Sequence, residues 1–398
     1  MKNNIVIQLA WLIPLVIAAP LGLDICLPSM PMISRELGSL PETTQWLISG
    51  FILCLSLSQL FFGPMVDQVG SQRVLLCGGV FYVLGDISVY FIHNLPLLIV
   101  LRLIQGCGAG AISVAIFASV PLRFQGAEVG KVFSMLNGVI SLVPILAPII
   151  GGKLAVHYGW RSSFYVLGGF VLLCCFIALW KPLPRRHRNT SILLTKVFSG
   201  YLDVLRHPKF LLGCLTSSFG FATQLIFFSS SPVVLIETLH IPVDQFGYYF
   251  AINAVSITAG SLLTARLLGR GKDIALLYAG ALLLLLAMIG FIFTIYLFKI
   301  SVWSYLISAT LGSFGFSILL GTGTTIALSP FSHLAGRASA LVATIQMSFS
   351  SLISWMVMRH WRSDWLSMIT AYFLLSFAIL MVIYIYGINK FRARNDIF

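Results

Sequence analysis

Long apolar stretches alternate with short polar breaks along almost the whole chain. A helix that crosses the hydrocarbon core of a bilayer needs about 20 mostly apolar residues, and each stretch is close to that length. The pattern therefore predicts an all-α membrane protein with twelve transmembrane helices. Their predicted limits are 5–27, 44–66, 73–92, 96–121, 132–156, 161–180, 210–232, 245–267, 273–298, 302–328, 337–358 and 364–387.

One connection is much longer and more polar than the others, and it covers residues 181–209. It divides the chain into an N-terminal half (1–180) and a C-terminal half (210–398), each with six predicted helices. Within it, the stretch SGYLDVLRHPK at 199–209 could form a short amphipathic helix at the membrane surface. We expect this segment to be a cytoplasmic central loop.

The composition supports a membrane protein. Of the 398 residues, 58% are apolar and only 9% are charged, whereas about 25% are charged in an average soluble domain. So few charges could not cover a soluble protein of this length. The seven cysteines lie in apolar stretches without metal-ligand spacing, which indicates buried free thiols and no metal site. The N-terminal apolar run has no small-residue cleavage site and is interpreted as helix 1, not as a signal peptide.

The net charge of +13 follows from topology. With the N-terminus inside, cytoplasmic segments carry 18 Lys and Arg residues and external loops carry six, while acidic residues outside the membrane divide equally. Loops rich in Lys and Arg remain in the cytoplasm, so both termini are predicted to be cytoplasmic. The basic central loop could also contact anionic lipid. No nucleic-acid motif accompanies the basic charge, and no nucleic-acid partner is expected.

Three charged residues, Asp24, Asp86 and Arg102, lie inside predicted helices of the first half. Because a charge in the bilayer costs several kcal/mol, such residues usually face the bundle interior and serve a transport pathway. A pair between Asp24 and Arg102 would suit a carboxylate that gains and loses a proton, although a static salt bridge between helices 1 and 4 is an open alternative. Asp86 could be a local hydrogen-bond partner or lie near the outer headgroups. The second half has no embedded charge, so proton chemistry is predicted in the first half.

Helix 5 has an unusual density of residues that break or crowd helices. Pro144 and Pro148 remove backbone donors on one helix face, and Gly151 and Gly152 allow a neighbour to approach closely. This composition suits a kinked, tightly packed helix at a movable contact between the halves. Ordinary proline usage in membrane helices is the alternative. Gly106 begins a similar close-packing surface on helix 4.

The loop between helices 2 and 3 reads GPMVDQVGSQRVL. Gly63 is expected to let helices approach, Asp67 to end helix 2, Gly70 to turn the chain and Arg73 to start helix 3. A carboxylate at this position could bond donors at a nearby helix N-terminus. It could thereby act as a cytoplasmic latch for one conformation.

These segments together resemble the major facilitator superfamily. The loop 2–3 signature of this superfamily is resembled by GPMVDQVGSQR. Its helix-4 signature is resembled by RLIQGCGAGA, which contains Gln105 and Gly106. The helix-5 signature of drug–proton antiporters is resembled by NGVISLVPILAPIIGG. APLGLDICLPSMP, YGWRSSFYVLG and SPFSHLAGRASALVATIQ resemble the bicyclomycin-resistance (Bcr/CflA) branch of multidrug efflux proteins. The resemblance implies a bacterial inner-membrane antiporter that works by alternating access. It also implies that Asp24 and Arg102 are the coupling residues.

Two features depart from the family pattern. Gln68 follows Asp67 where the family usually has Arg, and Ser71 and Gln72 precede the single basic residue Arg73. We therefore expect a weaker or differently balanced cytoplasmic latch. Asp86 is an additional acid on helix 3, a helix that tends to lie outside the central cavity in this fold. Both departures favour a specialised exporter over a general drug pump.

The substrate cavity is expected between the halves near the membrane midplane. Aromatic walls with few polar groups suit amphipathic ligands, whereas packing of phenylalanines and hydrogen bonding between helices are the alternative roles. The candidate lining residues are Trp46, Phe51, Gln59, Phe117, Asn137, Gln224, Phe227, Phe228, Asn253 and Gln346.

The function predicted from these features is export of small amphipathic molecules, such as drugs, siderophores or metabolites, by proton antiport. A uniporter or an importer of a defined nutrient is the alternative. A membrane enzyme or receptor is disfavoured because no metal cluster, nucleophile elbow or phosphate loop appears in the sequence. No cofactor is expected beyond the proton gradient. The partners are membrane lipid, protons and a small molecule, and a monomer is the default assembly.

Overall fold

A computed structural model describes residues 11–124, 127–183, 204–269, 272–331, 335–360 and 365–395. Over these residues the regular structure is entirely helical. Twelve helices are long and apolar enough to cross a membrane, which confirms the predicted all-α architecture. The principal helices are α1 (Leu12–Asp24), α2 (Trp46–Val69), α3 (Ser71–Ile87), α4 (Leu95–Arg123), α5 (Ala127–Tyr158), α6 (Arg161–Trp180), α7 (Pro208–Pro232), α8 (Phe246–Leu267), α9 (Asp273–Phe298), α10 (Val302–Leu328), α11 (Ala335–His360) and α12 (Trp365–Asn395).

The first span extends beyond its predicted end. After α1 the chain continues through a 3₁₀ turn (Leu27–Ser29) and a second helical segment (Met30–Glu36). Pro28 and Pro31 each fall in the first turn of their segment, where proline lacks a donor that the helix would not use. The prolines therefore start new helical segments, and the C-terminal part of the span is helical where the sequence predicted a loop.

The chain divides into two compact units that differ slightly from the predicted halves. The first unit comprises Met1–Val197 and Ile241–Ala251, and the second comprises Phe198–His240 and Ile252–Phe398. The segment Ile241–Ala251, which includes the first turn of α8, groups with the first unit because it packs on α5. A Cβ placed on Gly247 would lie 2.4 Å from the backbone nitrogen of Ile149.

In the first unit, α4 lies between α2 and α3 at very short range. A Cβ on Gly106 would lie 2.4 Å from the carbonyl oxygen of Phe51 in α2. A Cβ on Gly108 would lie 2.5 Å from the carbonyl oxygen of Gly78 in α3. Only glycine permits this separation, so the predicted close-packing surface on helix 4 is confirmed.

The glycines of α5 also pack as predicted. A Cβ on Gly151 would lie 2.0 Å from the carbonyl oxygen of Ile25, and one on Gly152 would lie 2.5 Å from that of Val243. Pro148 is buried in the same stretch. The segment is thus in backbone contact with the end of α1 and with the segment that precedes α8.

In the second unit, α7 is the central helix and packs against α10, α11 and α12. Its contact with α10 is reciprocal, because a Cβ on Gly213 would lie 2.2 Å from the carbonyl oxygen of Gly323, and one on Gly323 would lie 2.6 Å from that of Gly213. A hydrophobic cluster that contains Ala222 and Met358 fills the space toward α11 and α12. Small residues therefore organise both units.

The loop between α2 and α3 is shorter than predicted. Helix α2 continues to Val69, so Asp67 lies inside it and does not end it. Gly70 adopts φ +91°, a conformation that favours glycine, and makes the expected turn. Among the described residues, no atom lies within 4 Å of a Cβ built on Gly63, so the prediction that Gly63 permits close approach of helices is wrong. Arg73 is exposed in the first turn of α3, as predicted.

Two further predictions have mixed outcomes. All seven cysteines are free thiols, but only Cys26, Cys174 and Cys214 are buried, and Cys77 is exposed on its helix surface. The amphipathic helix predicted at 199–209 falls largely on residues that lie outside the described part of the chain.

Candidate functional site

Three charged side chains are enclosed within the first unit. Asp24, Asp86 and Arg102 expose 1%, 0% and 1% of their surfaces, and they come from α1, α3 and α4 respectively. The close glycine packing of α4 against α2 and α3 brings these helices together around the charges. The sequence prediction that the embedded charges lie inside the helical bundle is confirmed by these exposures.

Arg102 is held by backbone groups of two neighbouring helices. Its Nε donates a hydrogen bond of 2.9 Å to the carbonyl oxygen of Leu47, and its Nη1 donates one of 3.1 Å to the carbonyl oxygen of Gly22. The guanidinium carbon also lies 4.4 Å from the centre of the Phe51 ring, a distance typical of a cation–π contact. The fully buried Phe51 therefore packs against Arg102, and this position does not support its predicted role in a cavity wall.

Gln105 connects Arg102 to Asp86. The Nη1 of Arg102 donates to the Oε1 of Gln105, and the Nε2 of Gln105 donates a hydrogen bond of 2.6 Å to the Oδ1 of Asp86. Since arginine has no acceptor, only this orientation of the amide satisfies both partners. The result is a directed chain from cation through amide to carboxyl, in which the Gln105 side chain is 1% exposed.

The predicted direct pair between Asp24 and Arg102 is not formed. Within the described part of the first unit, the Oδ1 of Asp24 has no hydrogen-bond partner, and Arg102 instead donates to backbone oxygens and to Gln105. The Oδ2 of Asp86 and the Nη2 of Arg102 also lack a hydrogen-bond partner among the described residues. One buried donor and two buried acceptors thus remain available in the same cluster.

The bridging role of Gln105 was not predicted from the sequence. Gln105 was noted only as a signature residue, yet its position three residues after Arg102 places both side chains on one face of α4. Asp86 faces them because Gly168 of α6 leaves room for its side chain. A Cβ on Gly168 would lie 2.9 Å from the Cβ of Asp86.

The predicted polar groups of the second unit bond to one another. The Nε2 of Gln224 donates to the Oδ1 of Asn253 at 3.1 Å, the Nδ2 of Asn253 donates to the Oγ of Ser313 at 2.6 Å, and Ser313 donates to the Oε1 of Gln224 at 2.7 Å. Asn253 also donates to the carbonyl oxygen of Ala309. This closed ring joins α7, α8 and α10, and it favours the alternative role of hydrogen bonding between helices.

Gln346 is also occupied, because its Nε2 donates to the hydroxyls of Ser217 and Thr324 at 2.7 and 3.0 Å. The remaining cavity candidates vary in position. Phe117 stacks on Phe133 at 5.8 Å, and the exposed Asn137 donates to the carbonyl oxygen of the same Phe133. The others are partly or fully buried: Trp46, Gln59, Phe227 and Phe228.

A cavity of about 370 Å³ lies within the second unit between α8 and α10. Its lining includes the hydroxyl-bearing residues Ser261, Thr264, Ser317, Thr324 and Thr325. None of the residues predicted to line a substrate cavity borders it. Sequence reasoning therefore did not anticipate this cavity.

A second polar cluster lies where the end of the first span meets the start of α6 in the first unit. Glu36 forms an ion pair with Arg161 and accepts a hydrogen bond of 2.7 Å from the indole Nε1 of Trp160. Arg161 also donates to the carbonyl oxygen of Ile92 at 2.9 Å and lies 4.2 Å from the centre of the Trp160 ring. This cluster fastens the helical extension of the first span to the start of α6.

Comparison with known proteins identifies the family. Residues 12–354 match the model of the Major Facilitator Superfamily. The chain belongs to this superfamily. It is therefore a multi-pass membrane protein of a transporter family, and the fold predicted from the sequence is confirmed.

Curated relatives agree with the branch that the sequence motifs indicated. The chain is 28% identical to multidrug resistance protein MdtL of Shewanella oneidensis, over 86% of each protein. It is 26% identical to a bicyclomycin resistance protein homolog of Haemophilus influenzae, over 85% of each. It is 28% identical to a chloramphenicol resistance protein of Pseudomonas aeruginosa, over 82% of this chain and 78% of the relative. The resemblance to drug–proton antiporters of the bicyclomycin-resistance branch is confirmed.

Solved structures share the fold at low sequence identity. A D-xylose–proton symporter superposes with a TM-score of 0.73 at 16% identity, covering 94% of this chain and 97% of the symporter. A POT family transporter gives the same TM-score at 13% identity, covering 96% and 95%. These similarities establish the fold alone.

Proposed function

We propose that this protein exports small amphipathic molecules across the bacterial inner membrane in exchange for protons, by alternating access. The observation that carries the proposal is the enclosed cluster of two carboxyls and one guanidinium in a membrane-spanning unit. Charged groups at such depth are costly and usually serve ion pathways. The names of the relatives, which refer to multidrug, bicyclomycin and chloramphenicol resistance, supply the class of cargo.

Asp24 carries the coupling proton in this proposal. Its Oδ1 has no hydrogen-bond partner among the described residues, so no neighbouring group fixes the protonation state of this oxygen. Asp24 ends α1, next to the 3₁₀ turn, and Gly22 two residues earlier already accepts a bond from Arg102. Proton binding and release at Asp24 would therefore change how the end of α1 is held by Arg102.

The segment of α5 around Gly151 and Gly152 transmits that change in the proposal. Gly151 is in contact with the carbonyl oxygen of Ile25, the residue directly after Asp24. A shift at the end of α1 would therefore act directly on α5. The chain requires no cofactor in this scheme, because the proton gradient supplies the energy, and a monomer surrounded by lipid is sufficient.

The proposed topology places both termini in the cytoplasm. The excess of Lys and Arg in the loops assigned to the inside supports it. A green fluorescent protein fused to the C-terminus should fluoresce, and alkaline phosphatase fused there should be inactive. The reverse pattern would overturn the orientation.

Transport can be tested in proteoliposomes that are loaded with acidic buffer and diluted into neutral buffer. Labelled chloramphenicol and bicyclomycin are the probes. We expect accumulation of at least one probe in the acidic lumen, several-fold above vesicles without protein, and acidification of the external medium during uptake. An importer would accumulate the probe only with the gradient reversed, and a uniporter would only equilibrate it.

The Asp24→Asn variant tests the proton site. It should lose gradient-driven accumulation but retain exchange of labelled for unlabelled probe, because exchange needs no net proton movement. Glu128→Gln, which alters an exposed carboxylate on α5, is the matched control and should behave as wild type. Gradient-driven accumulation that survives Asp24→Asn would show that the proton binds elsewhere.

A further inference from the structure

Asp86 is the acid that the family pattern does not require, yet it is the carboxyl connected to the buried cation. It is fully enclosed by α3, α4 and α6, with Gln105 on one side and Gly168 on the other. Its Oδ1 accepts the Gln105 amide, whose carbonyl end accepts from Arg102. The Gln105 amide, oriented by Arg102, therefore points its N–H donor at Asp86 and favours a negative charge on that carboxyl.

The number of charges in the cluster constrains its protonation. Two carboxylates and one guanidinium would leave one uncompensated negative charge inside the membrane, which is strongly unfavourable. One carboxylate and one guanidinium are neutral together. The cluster is therefore most stable with one of its two carboxyls protonated, and the arrangement of Arg102 decides which one.

The unpartnered atoms show how that choice can change. The Nη2 of Arg102 and the Oδ1 of Asp24 have no hydrogen-bond partner within the described residues. Arg102 already reaches the carbonyl oxygen of Gly22, two residues from Asp24. The exchange proposed below requires the guanidinium to turn away from Gln105 toward Asp24 at the end of α1, the helix whose Gly22 carbonyl oxygen its Nη1 already contacts.

We propose that Asp86 is a second proton-binding carboxyl, which holds the proton when Arg102 pairs with Asp24 and is ionised when Gln105 links it to Arg102. The hydrogen bonds of the present structure, from Arg102 through Gln105 to Asp86, correspond to the second state, to which the proposal assigns an ionised Asp86 and a protonated Asp24. In the exchange, one proton leaves the Asp24 carboxyl to water and one proton from water binds an oxygen of Asp86. The net charge of the cluster does not change. The proposal rests on the proton antiport proposed above.

Other titratable groups near Asp86 are neutral in their ordinary state and do not alter this count. Tyr82 lies one turn earlier on α3, and its hydroxyl donates to the carbonyl oxygen of Ala18 at 2.9 Å. Among the described residues, the thiol of Cys26, which follows α1, interacts with Asp86, and the thiol of Cys174 on α6 interacts with Tyr82. Arg102 is the cation that acts on Asp86.

Infrared spectroscopy of the full chain in lipid bilayers at neutral pH counts protonated carboxyls through their C=O stretch. We expect a signal equal to one buried carboxylic acid in the wild type. Asp24→Asn should abolish this signal, because Asp86 is then the one remaining carboxyl of the buried cluster and is ionised. Asp86→Asn should also abolish it, because Arg102 then turns to Asp24 and ionises it. Glu128→Gln is the control and should leave the signal unchanged.

A full signal that persists in Asp86→Asn would overturn the proposal, because Asp86 would then be a static partner that does not influence Asp24. Arg102→Gln is a second variant in case Asp86→Asn does not fold. Without the cation both carboxyls should be protonated, and the signal should double. An unchanged signal in Arg102→Gln would likewise overturn the proposal.

This measurement needs no transported compound. Failure of both probes to accumulate would contradict the proposed export function. It would not change the number of protonated carboxyls that infrared spectroscopy measures. Conversely, proton-driven accumulation of a probe together with an unchanged infrared signal in Asp86→Asn would retain the export function and exclude the second carboxyl.

Discussion

Gly151 of α5 lies so close to Ile25 that a Cβ on the glycine would be 2.0 Å from the Ile25 carbonyl oxygen. The opposing atom belongs to the backbone, so it cannot move aside as a flexible side chain would. Gly151→Ala should therefore force α5 away from the end of α1. Overpacking of this kind typically costs about 1–3 kcal/mol, and we expect a loss of that size in the free energy of unfolding in SDS-containing mixed micelles.

Gly138 provides a matched control on the same helix. A Cβ at Gly138 would meet no atom within 4 Å among the described residues. Gly138→Ala should be neutral or stabilising by up to about 1 kcal/mol, because alanine favours the helix. Equal effects of the two substitutions would mean that the contact with Ile25 is not formed.

The contact between Gly22 and Tyr82 can be tested by a compensating substitution. A Cβ on Gly22 would lie 1.9 Å from the Tyr82 hydroxyl oxygen. Gly22→Ala alone should lower the apparent melting temperature by several degrees. Tyr82→Phe alone removes one hydrogen bond to Ala18, at a cost of about 1 kcal/mol. The double variant should be more stable than the sum of the two losses predicts, because the clashing oxygen is absent. Strict additivity would show that Gly22 and Tyr82 do not touch.

The fold could be predicted because it depends on composition and on residue order. Apolar stretches of sufficient length specify membrane spans. The glycines of helices 4 and 5 predict close helix packing even when the neighbouring helix is not known. The helical extension after Pro28 is not predicted, because the first predicted helix ends at residue 27, directly before this proline. In the structure, Pro28 and Pro31 occupy first turns, where proline is compatible with a helix.

The charged residues of the candidate site could be predicted from the sequence, but the hydrogen bonds between them could not. Asp24, Asp86 and Arg102 were identified because buried charge is rare. Opposite charge suggested that Asp24 and Arg102 pair, but the hydrogen bonds run through Gln105 to Asp86. Which carboxyl meets the cation depends on the rotation of α3 about its axis and on the space left by Gly168, and a single sequence does not encode either in a local pattern.

Glu36 and Arg161 should stabilise the contact between the end of the first span and the start of α6. Both side chains are partly exposed, so the ion pair alone contributes about 0–1 kcal/mol. Arg161→Ala should cost more than Glu36→Gln, because it also removes the bond to the Ile92 carbonyl oxygen and the contact with Trp160. A double-mutant cycle measured by unfolding in mixed micelles gives the coupling energy, for which we expect about 0.5–1 kcal/mol. Lys153→Ala, an exposed basic residue on α5, is the control and should change stability little. A coupling near zero would exclude a stabilising role for the pair.

Asn253 distinguishes a structural network from a substrate contact. Its side chain bonds Gln224, Ser313 and the carbonyl oxygen of Ala309, and it is fully buried. Asn253→Leu would leave the Nε2 of Gln224 without its acceptor, whereas Ser313 could still donate to the Oε1 of Gln224. The unsatisfied buried donor should cost about 1–3 kcal/mol. Thr258→Val is the matched control on α8, because its hydroxyl bonds the carbonyl oxygen of Ala254 in its own helix. Unfolding in mixed micelles should show a clear loss for Asn253→Leu and little change for Thr258→Val. If Asn253→Leu instead retained full stability and lost only transport of the chloramphenicol and bicyclomycin probes, Asn253 would be a substrate contact and the structural interpretation would be wrong.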